Sequence, residues 1–269
     1  MYFRRFAAGF YLLTGSLLFY EKLQNLRKNR KIVNSSESIY SSLLKRYGVQ
    51  GWWPVLNPGT GCSVYSGGFP SGSRTMFEIC IGAILTQNVA WKNVEKSLMQ
   101  LKSSGLLSPR ILHETENSVI AGLIRSSGYY NQKAIKIKSF LDWFRGYGYS
   151  FSRLQKLDTA VLRKELLSVR GIGPETADSI LLYALNRKIF VVDAYTRRIF
   201  SRLGLVDPSC TYDDLQLFFH KKFHSDTAGY NEYHALIVAH GKEICKNRPL
   251  CTDCCLRSKC RYTSTEKHN

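Results

Sequence analysis

Residues 166–178 decide the fold and read Leu-Leu-Ser-Val-Arg-Gly-Ile-Gly-Pro-Glu-Thr-Ala-Asp. Gly171 and Gly173 bracket one isoleucine between two helical segments, and glycine allows both a tight turn and the close approach of a phosphate. Pro174 suits the first position of the next helix, and Glu175 suits its first turn. The N–H groups at that helix start point toward the same place. The stretch predicts a helical hairpin that holds a phosphate backbone without reading sequence, although a lone Gly-x-Gly is often only a turn.

Asp193 lies twenty residues after Gly173 and directly follows the apolar run 189–192. Its position predicts the N-cap of a helix that begins at Ala194, a role worth about 1 kcal/mol. Under a second interpretation the carboxylate faces a groove, where it stabilises positive charge on a deoxyribose as its base departs. The residues alone leave both interpretations open.

The chain of 269 residues carries 38 Lys and Arg against 20 Asp and Glu, a formal charge of +18. Such an excess favours a polyanionic partner, and nucleic acid and an anionic membrane surface both qualify. Residues 1–32 contribute seven basic residues against Glu21, so most of the charge belongs to the body of the protein. A hydrophobic content of 44% is enough to build a core. A folded, basic body favours a nucleic-acid enzyme.

Helical spacing of apolar residues dominates the chain after residue 35. Ser36 is the expected N-cap of the first helix, and Gly48 is expected at its C-terminal end. The predicted helices are 37–47, 75–87, 89–102, 116–126, 131–145, 159–168, 174–186, 194–204, 211–222 and 229–243. The Gly-, Ser- and Pro-rich stretch 57–73 predicts a loop. The run 187–192 has strand character but no second strand to pair with, so we interpret it as a buried connector. The predicted fold class is all-α.

Residues 1–36 form a hydrophobic and basic N-terminal extension. Arg4 and Arg5 precede the apolar stretch 6–20, which at 15 residues is short for a membrane span. We expect a helix packed on the body or an upstream extension of the true start. Membrane contact through residues 1–20 is the less favoured alternative.

Five of the eight cysteines crowd into the last 25 residues. A secreted disulfide scaffold would be shorter and would spread its cysteines more evenly, so the crowding indicates a metal site in a reducing compartment. Four thiolates can enclose one metal centre, either an iron–sulfur cluster or structural zinc. They belong to Cys245, Cys251, Cys254 and Cys260. Cys255 could replace Cys254 only with a shift of register.

The segment 166–178 together with Val-Val-Asp-Ala-Tyr-Thr-Arg-Arg at 191–198 resembles the helix-hairpin-helix/Gly-Pro-Asp signature of the endonuclease III superfamily of DNA glycosylases. The resemblance covers about residues 37–260. It implies that Asp193 is the catalytic carboxylate, and that the partner is double-stranded DNA containing a damaged base. It also implies a [4Fe-4S] cluster on the four cysteines, although the first gap is one residue shorter than in the family. Zinc is the alternative.

The resemblance further implies a two-lobed enzyme with DNA in the cleft between the lobes. One lobe is a helical bundle, residues 72–188, which ends in the hairpin. The second lobe joins 37–71 to 189–269 and carries Asp193 and the cysteine loop 245–260. We expect a monomer with a cytoplasmic, nucleoid-associated location.

Glu175 departs from the pattern of those relatives that also cut the strand, which carry a lysine at this position. A carboxylate cannot form the Schiff base that strand cleavage requires. Lys133 and Lys164 do not occupy the motif position. We therefore predict a monofunctional glycosylase, with Glu175 as a partner of the helix dipole.

The aromatic segments resemble the 3-methyladenine glycosylases of this superfamily. That resemblance assigns Trp52, Trp53 and Trp91 to the base pocket, where indole rings attract a cationic alkylated purine. Gln87, in Leu-Thr-Gln-Asn at 85–88, is the expected wedge that fills the gap left by the extruded nucleotide. The alternative is that all three tryptophans are core or groove-wall packing residues.

Several further residues are candidate DNA contacts. Lys133 lies in a Gly-Tyr-Tyr-Asn-Gln-Lys-Ala segment that resembles a family motif, although a solvated helix start would suit it as well. The hairpin contributes Arg170, Gly171 and Gly173, and the cysteine loop offers Arg257 and Lys259 to a phosphate. The histidines at 220, 224, 234 and 240 show no ligand spacing, so we interpret them as structural.

Three alternatives stay open at this point. The same chemistry could act on oxidised pyrimidines, uracil or a mismatched thymine, with or without lyase activity at the abasic site. A non-catalytic DNA-binding module would use the hairpin only to hold the backbone. A membrane-surface protein would depend on residues 1–20.

Overall fold

The computed structural model of the protein describes residues 35–57, 63–65 and 69–262. The expectation of membrane contact through residues 1–20 lies outside these residues, as does almost all of the extension 1–36. In the part of the chain that is described, no helix is both long and apolar enough to cross a membrane.

The fold is all-α, as the sequence predicts. The helices are α1 (Ser36–Tyr47), α2 (Ser73–Leu85), α3 (Trp91–Ser103), α4 (Pro109–Glu114), α5 (Asn117–Leu123), α6 (Tyr130–Gly146), α7 (Phe151–Leu154), α8 (Thr159–Ser168), α9 (Pro174–Ser179), α10 (Ala194–Arg202), α11 (Tyr212–Lys222) and α12 (Thr227–Glu243). A π-helical segment, Ile180–Ala184, continues α9 directly. Short 3-10 turns occupy Arg125–Ser127, Cys251–Asp253 and Arg257–Lys259.

One short antiparallel ladder differs from expectation. Strands β1 (Val55–Leu56) and β2 (Ser63–Val64) pair, and β2 lies inside the predicted loop 57–73. Glu78 and Glu95 hold this region, since their carboxylates accept hydrogen bonds from the main-chain N–H groups of Leu56 and Ser63. These long-range contacts order two residues that carry no local strand signal.

The N-cap of α1 is also displaced by one residue. The Ser35 hydroxyl, rather than that of Ser36, accepts the hydrogen bond from the main chain of Ser38. Ser36 is buried, and its hydroxyl donates to the Tyr233 hydroxyl at 3.3 Å. A contact to the distant helix α12 therefore determines which of the two adjacent serines faces the helix start.

Two groups of helices share the core. Helix α2 packs on α3, α6 and the π-helical segment, whereas α12 packs on α1 and α10. Helices α10 and α12 approach closely at Gly241, where a Cβ atom would overlap the Tyr195 side chain. The division into lobes 72–188 and 37–71 plus 189–269 stays a prediction.

The hairpin joins α8 to α9 through residues 169–173. Asp158 caps α8, and Pro174 begins α9 directly after Gly173. Gly171 has a φ of 87°, which favours glycine, and a Cβ there would overlap the Lys136 side chain. The sharp turn therefore needs this glycine for two separate reasons.

The connector 187–192 carries the chain from the π-helical segment to α10. It is buried from Ile189 to Val192, as predicted. Its main-chain groups bond to side chains of α11: the N–H of Phe190 donates to His220, and its carbonyl accepts from Gln216. Because these bonds replace a strand ladder, the connector needs no β partner to satisfy its main chain.

Candidate active site

Asp193 stands at the end of the buried connector and caps α10. Its Oδ1 accepts hydrogen bonds from the Thr196 main chain at 2.7 Å and from the Thr196 hydroxyl at 2.8 Å. Its Oδ2 takes no part in the cap and lies 3.6 Å from Nε2 of His234. The cap therefore occupies one carboxylate oxygen, and the other faces the His234 ring.

The surroundings keep Asp193 ionised. Burial by itself would raise the pKa of this carboxyl, but the His234 ring and the Thr196 donors outweigh it and hold the pKa below its usual value. About a tenth of the side chain is exposed. A nearly enclosed negative charge is therefore available at neutral pH.

Asp193 opens onto a surface depression of about 540 Å³. Its walls include Glu175, Arg197, Arg198 and Tyr212. Glu175 sits at the exposed rim, yet the protein packed around its carboxyl, together with the charge of Asp193, raises its pKa to about 7. Glu175, which the sequence predicts only as a partner of the helix dipole, therefore also lies within electrostatic range of Asp193.

Tyr183 and His234 lie behind the Asp193 carboxylate. His234, on α12, is 5% exposed, and its Nδ1 is hydrogen-bonded to the hydroxyl of Tyr183 in the π-helical segment. Sequence reasoning classed His234 as structural and did not select Tyr183. The sequence holds no signal for either role, because 51 residues separate the two side chains.

The three predicted pocket tryptophans lie together. Trp53 contacts Trp91 edge to face with ring centroids 5.4 Å apart, and it lies 6.0 Å from Trp52. Tyr183 packs on both Trp52 and Trp53, which places the cluster next to the His234 ring. The Lys242 ammonium lies 5.9 Å from the Trp52 ring. The three side chains are partly buried, and none of them lines the depression beside Asp193.

Gln87 reaches the hairpin from the turn after α2. Its amide nitrogen donates to the Gly171 carbonyl at 3.0 Å and to the Thr176 hydroxyl at 2.9 Å. Its amide oxygen accepts from Lys136. These bonds hold Gln87 beside the turn that is expected to bind the DNA backbone, and Arg170 is exposed at the same turn.

Lys133 is not a DNA contact, and that prediction is wrong. The side chain is 2% exposed, and its ammonium donates to the main-chain carbonyls of Leu85 and Ser127. Burial, together with the charge of Lys136, lowers its pKa to about 8. The ammonium satisfies carbonyls at the end of α2 and in the 3-10 turn, so it has no access to a phosphate.

The predicted ligand cysteines lie within electrostatic range of one another in the C-terminal loop. All are free thiols; burial first, then the charges of Cys255, Cys245 and Cys260, raise the pKa of Cys254 to about 11. Cys260 is likewise within electrostatic range of Cys245 and Cys251. Among residues 35–57, 63–65 and 69–262, no three His, Cys, Asp or Glu side chains are arranged to hold a metal ion.

Neighbouring side chains place nitrogen atoms beside two of these sulfurs. Arg202 donates to the Cys245 sulfur at 3.3 Å, and Nε2 of His240 lies 3.5 Å from the Cys254 sulfur. Cys255 instead has Arg46 of α1 among its neighbouring charges. Four cysteine thiols in one loop are donors of the type that an iron–sulfur cluster takes. The donor types therefore match the group that the resemblance implies, whereas the described residues do not bring three of them together around a metal ion.

The helical hairpin at 169–173, the capped Asp193 and the cysteine loop 245–260 together define a DNA-repair glycosylase of the helix-hairpin-helix class. Residues 81–224 match the HhH-GPD superfamily of base excision DNA repair proteins. The chain belongs to this superfamily and is a DNA N-glycosylase of base excision repair.

Two curated relatives agree with this assignment. The chain is 42% identical over 225 residues to a Methanocaldococcus jannaschii protein named as a DNA repair glycosylase, an alignment that spans 82% of this chain and 94% of the relative. It is 33% identical to endonuclease III of Sulfolobus acidocaldarius over 71% of this chain and 83% of that enzyme.

Two solved structures are also similar. The 3-methyladenine DNA glycosylase MagIII of H. pylori, bound to 1,N6-ethenoadenine, matches with a TM-score of 0.57 and 30% identity, over 64% of this chain and 90% of that one. A trapped endonuclease III–DNA covalent intermediate matches in fold with a TM-score of 0.67 and 19% identity, over 85% and 95% of the two chains.

Proposed function

We propose that this glycosylase hydrolyses the N-glycosidic bond of an alkylated base and leaves the DNA strand intact. The observation that carries the proposal is the position of Asp193, with Oδ1 held by the helix cap and Oδ2 outside the cap, where we place the sugar. A carboxylate kept ionised in a nearly enclosed site stabilises the positive charge that develops on deoxyribose as the base departs.

Glu175 supports the monofunctional part of the proposal. A carboxyl, rather than an amine, occupies the wall of the depression beside Asp193, so no Schiff base forms from this position. With a pKa of about 7, Glu175 is present in both protonation states near neutral pH. It can therefore accept a proton from the water that attacks the sugar. Asp193 thus stabilises the charge on the sugar, and Glu175 acts as the base.

The aromatic cluster supports the choice of substrate. An alkylated purine that carries positive charge is attracted to the indole faces of Trp52, Trp53 and Trp91. The similar H. pylori enzyme is named for 3-methyladenine. Because the glycosidic bond of a cationic purine is already weak, Asp193 need not be assisted by a covalent nucleophile.

Binding of double-stranded DNA by a monomer completes the proposal. The hairpin residues Arg170, Gly171 and Gly173 hold phosphates through main-chain N–H groups and one exposed guanidinium. Gln87 fills the gap left by the extruded nucleotide after giving up its bonds to the hairpin. Arg257 and Lys259, which belong to the cysteine loop, contribute further contacts to phosphates.

We also propose that Cys245, Cys251, Cys254 and Cys260 hold a [4Fe-4S] cluster. When bound, the cluster ties the C-terminal loop together and supplies a redox-active centre. Arg198 joins this loop to α10 by donating to the Cys245 carbonyl at 2.8 Å. Iron and zinc analysis of purified protein tests the assignment, and zinc without iron would contradict it.

A lesion panel tests the proposed activity. Duplexes with 3-methyladenine, 1,N6-ethenoadenine, uracil, thymine mismatched with guanine, or an oxidised pyrimidine are incubated with the full chain, with and without alkali. We expect excision of the alkylated purines and strand breaks only after alkali. Breaks without alkali would refute the monofunctional mechanism, and preference for another lesion would refute the substrate.

Two variants serve as controls in this panel. Asp193→Asn should lose excision of every lesion. Asp158→Asn alters a second helix-capping aspartate, at the start of α8, and should excise as the wild type does.

A further inference from the structure

A buried imidazole connects Tyr183 to Asp193. Nδ1 of His234 is hydrogen-bonded to the Tyr183 hydroxyl, and Nε2 lies 3.6 Å from Oδ2 of Asp193. Nε2 has no hydrogen-bond partner within ordinary distance among the described residues. An almost fully buried ring nitrogen is therefore aimed at the carboxylate oxygen that the helix cap does not use.

The partners of the ring determine where its proton lies. An ionised carboxylate can only accept hydrogen bonds, so the nitrogen that faces Asp193 must carry the proton. Burial raises the pKa of Tyr183 well above its usual value, so that the hydroxyl keeps its proton and can donate it to Nδ1. The hydrogen bond between Nδ1 and the hydroxyl fixes the plane of the ring in either direction, because a tyrosine hydroxyl both donates and accepts.

We propose that His234 is a positioning residue for Asp193: the hydrogen bond to Tyr183 fixes the imidazole ring, and the proton on Nε2 orients Oδ2 toward the sugar. The inference rests on the proposed role of Asp193 in glycosidic bond cleavage. Thr196, on α10, holds Oδ1 by hydrogen bonds, and Nε2 of His234, on α12, faces Oδ2 at 3.6 Å.

The same ring also contacts the aromatic cluster. The ring centroids of Trp52 and His234 are 5.7 Å apart and nearly perpendicular. A base that occupies the pocket beside Trp52 is therefore close to the group that orients Asp193. This arrangement predicts that loss of His234 affects the chemical step more than the binding of DNA.

Two substitutions of His234 separate positioning from packing. His234→Gln keeps an N–H donor close to the position of Nε2, whereas His234→Leu fills the space without a donor. Both are made in the full chain with its metal content verified, and the single-turnover excision rate is measured apart from the Kd for an abasic duplex. We expect the Leu variant to lose about 10- to 100-fold in rate with little change in Kd, and the Gln variant to recover most of it.

Equal rates for the Gln and Leu variants would overturn the inference, as would a loss confined to Kd and thermal stability. If the Leu variant does not fold, Tyr183→Phe supplies the second test. It removes the hydrogen bond to Nδ1 but keeps the ring packing, and its rate should fall while Kd is retained. An unchanged rate in this variant would count against the role of Tyr183.

A measurement without substrate distinguishes this inference from the proposed function. Nitrogen-15 NMR of the His234 ring should show a proton on Nε2. A ring without a proton on Nε2 would refute the inference even in an active glycosylase. Conversely, a wild-type protein that excises none of the lesions would refute the proposed function, whatever the tautomer.

Discussion

Replacing Asp193 separates its contribution to stability from its contribution to catalysis. Asp193→Asn retains an acceptor for the two hydrogen bonds from Thr196, at 2.7 and 2.8 Å, while it removes the charge. Asp193→Ala removes both the cap and the charge. Loss of an N-cap costs about 1–2 kcal/mol, which corresponds to a fall in Tm of about 2–8 °C for a chain of this size.

Both variants lose the carboxylate that we propose to face the sugar. Removing one preorganised group that stabilises transition-state charge lowers a rate by about 10²- to 10³-fold, and we expect at least this loss for Asn and Ala alike. Thermal melting and single-turnover excision are measured on the same preparations. An Asn variant that excises within tenfold of the wild type would refute the catalytic role, and equal Tm values for Asn and Ala would refute the cap.

Three further predictions concern the neighbouring residues. The raised pKa of Glu175, about 7, means that the folded protein holds this proton where the unfolded chain has released it, so stability falls as pH rises from about 5 to 7. The melting temperature of Glu175→Gln minus that of the wild type should therefore increase as pH rises over that range. A difference that stays constant with pH would contradict the raised pKa of Glu175. Lys133→Met leaves two buried carbonyls without their donor, which costs about 1–3 kcal/mol in urea unfolding, whereas the salt dependence of DNA binding should not change. Cys251→Ala should lower the iron content of the purified protein while Cys255→Ala retains it, and the reverse result would assign the ligands differently.

Local sequence signals predicted the elements whose cause is local. The Gly-Ile-Gly turn and Pro174 marked the hairpin, and the acidic residue after the apolar run 189–192 marked the cap at Asp193. Helix 159–168 was predicted with the bounds that the structure has. Two short helices, α4 and α7, were missed because six and four residues are too few to establish a helical period. The predicted helix 174–186 instead changes to π geometry at Ile180, a change that no local pattern indicated.

By itself the sequence determined the fold class, the hairpin, the position of Asp193 and the crowding of cysteines, because each depends on residues close together in the chain. Only the tertiary structure decided that Lys133 is buried, that Glu175 lies beside Asp193, and that Tyr183 and His234 back its free oxygen. These features depend on side chains that come from different helices, and periodicity within one helix does not encode which distant partner its face will meet. The sequence therefore determined where the carboxylate would stand, and the packing of the helices decided which groups surround it.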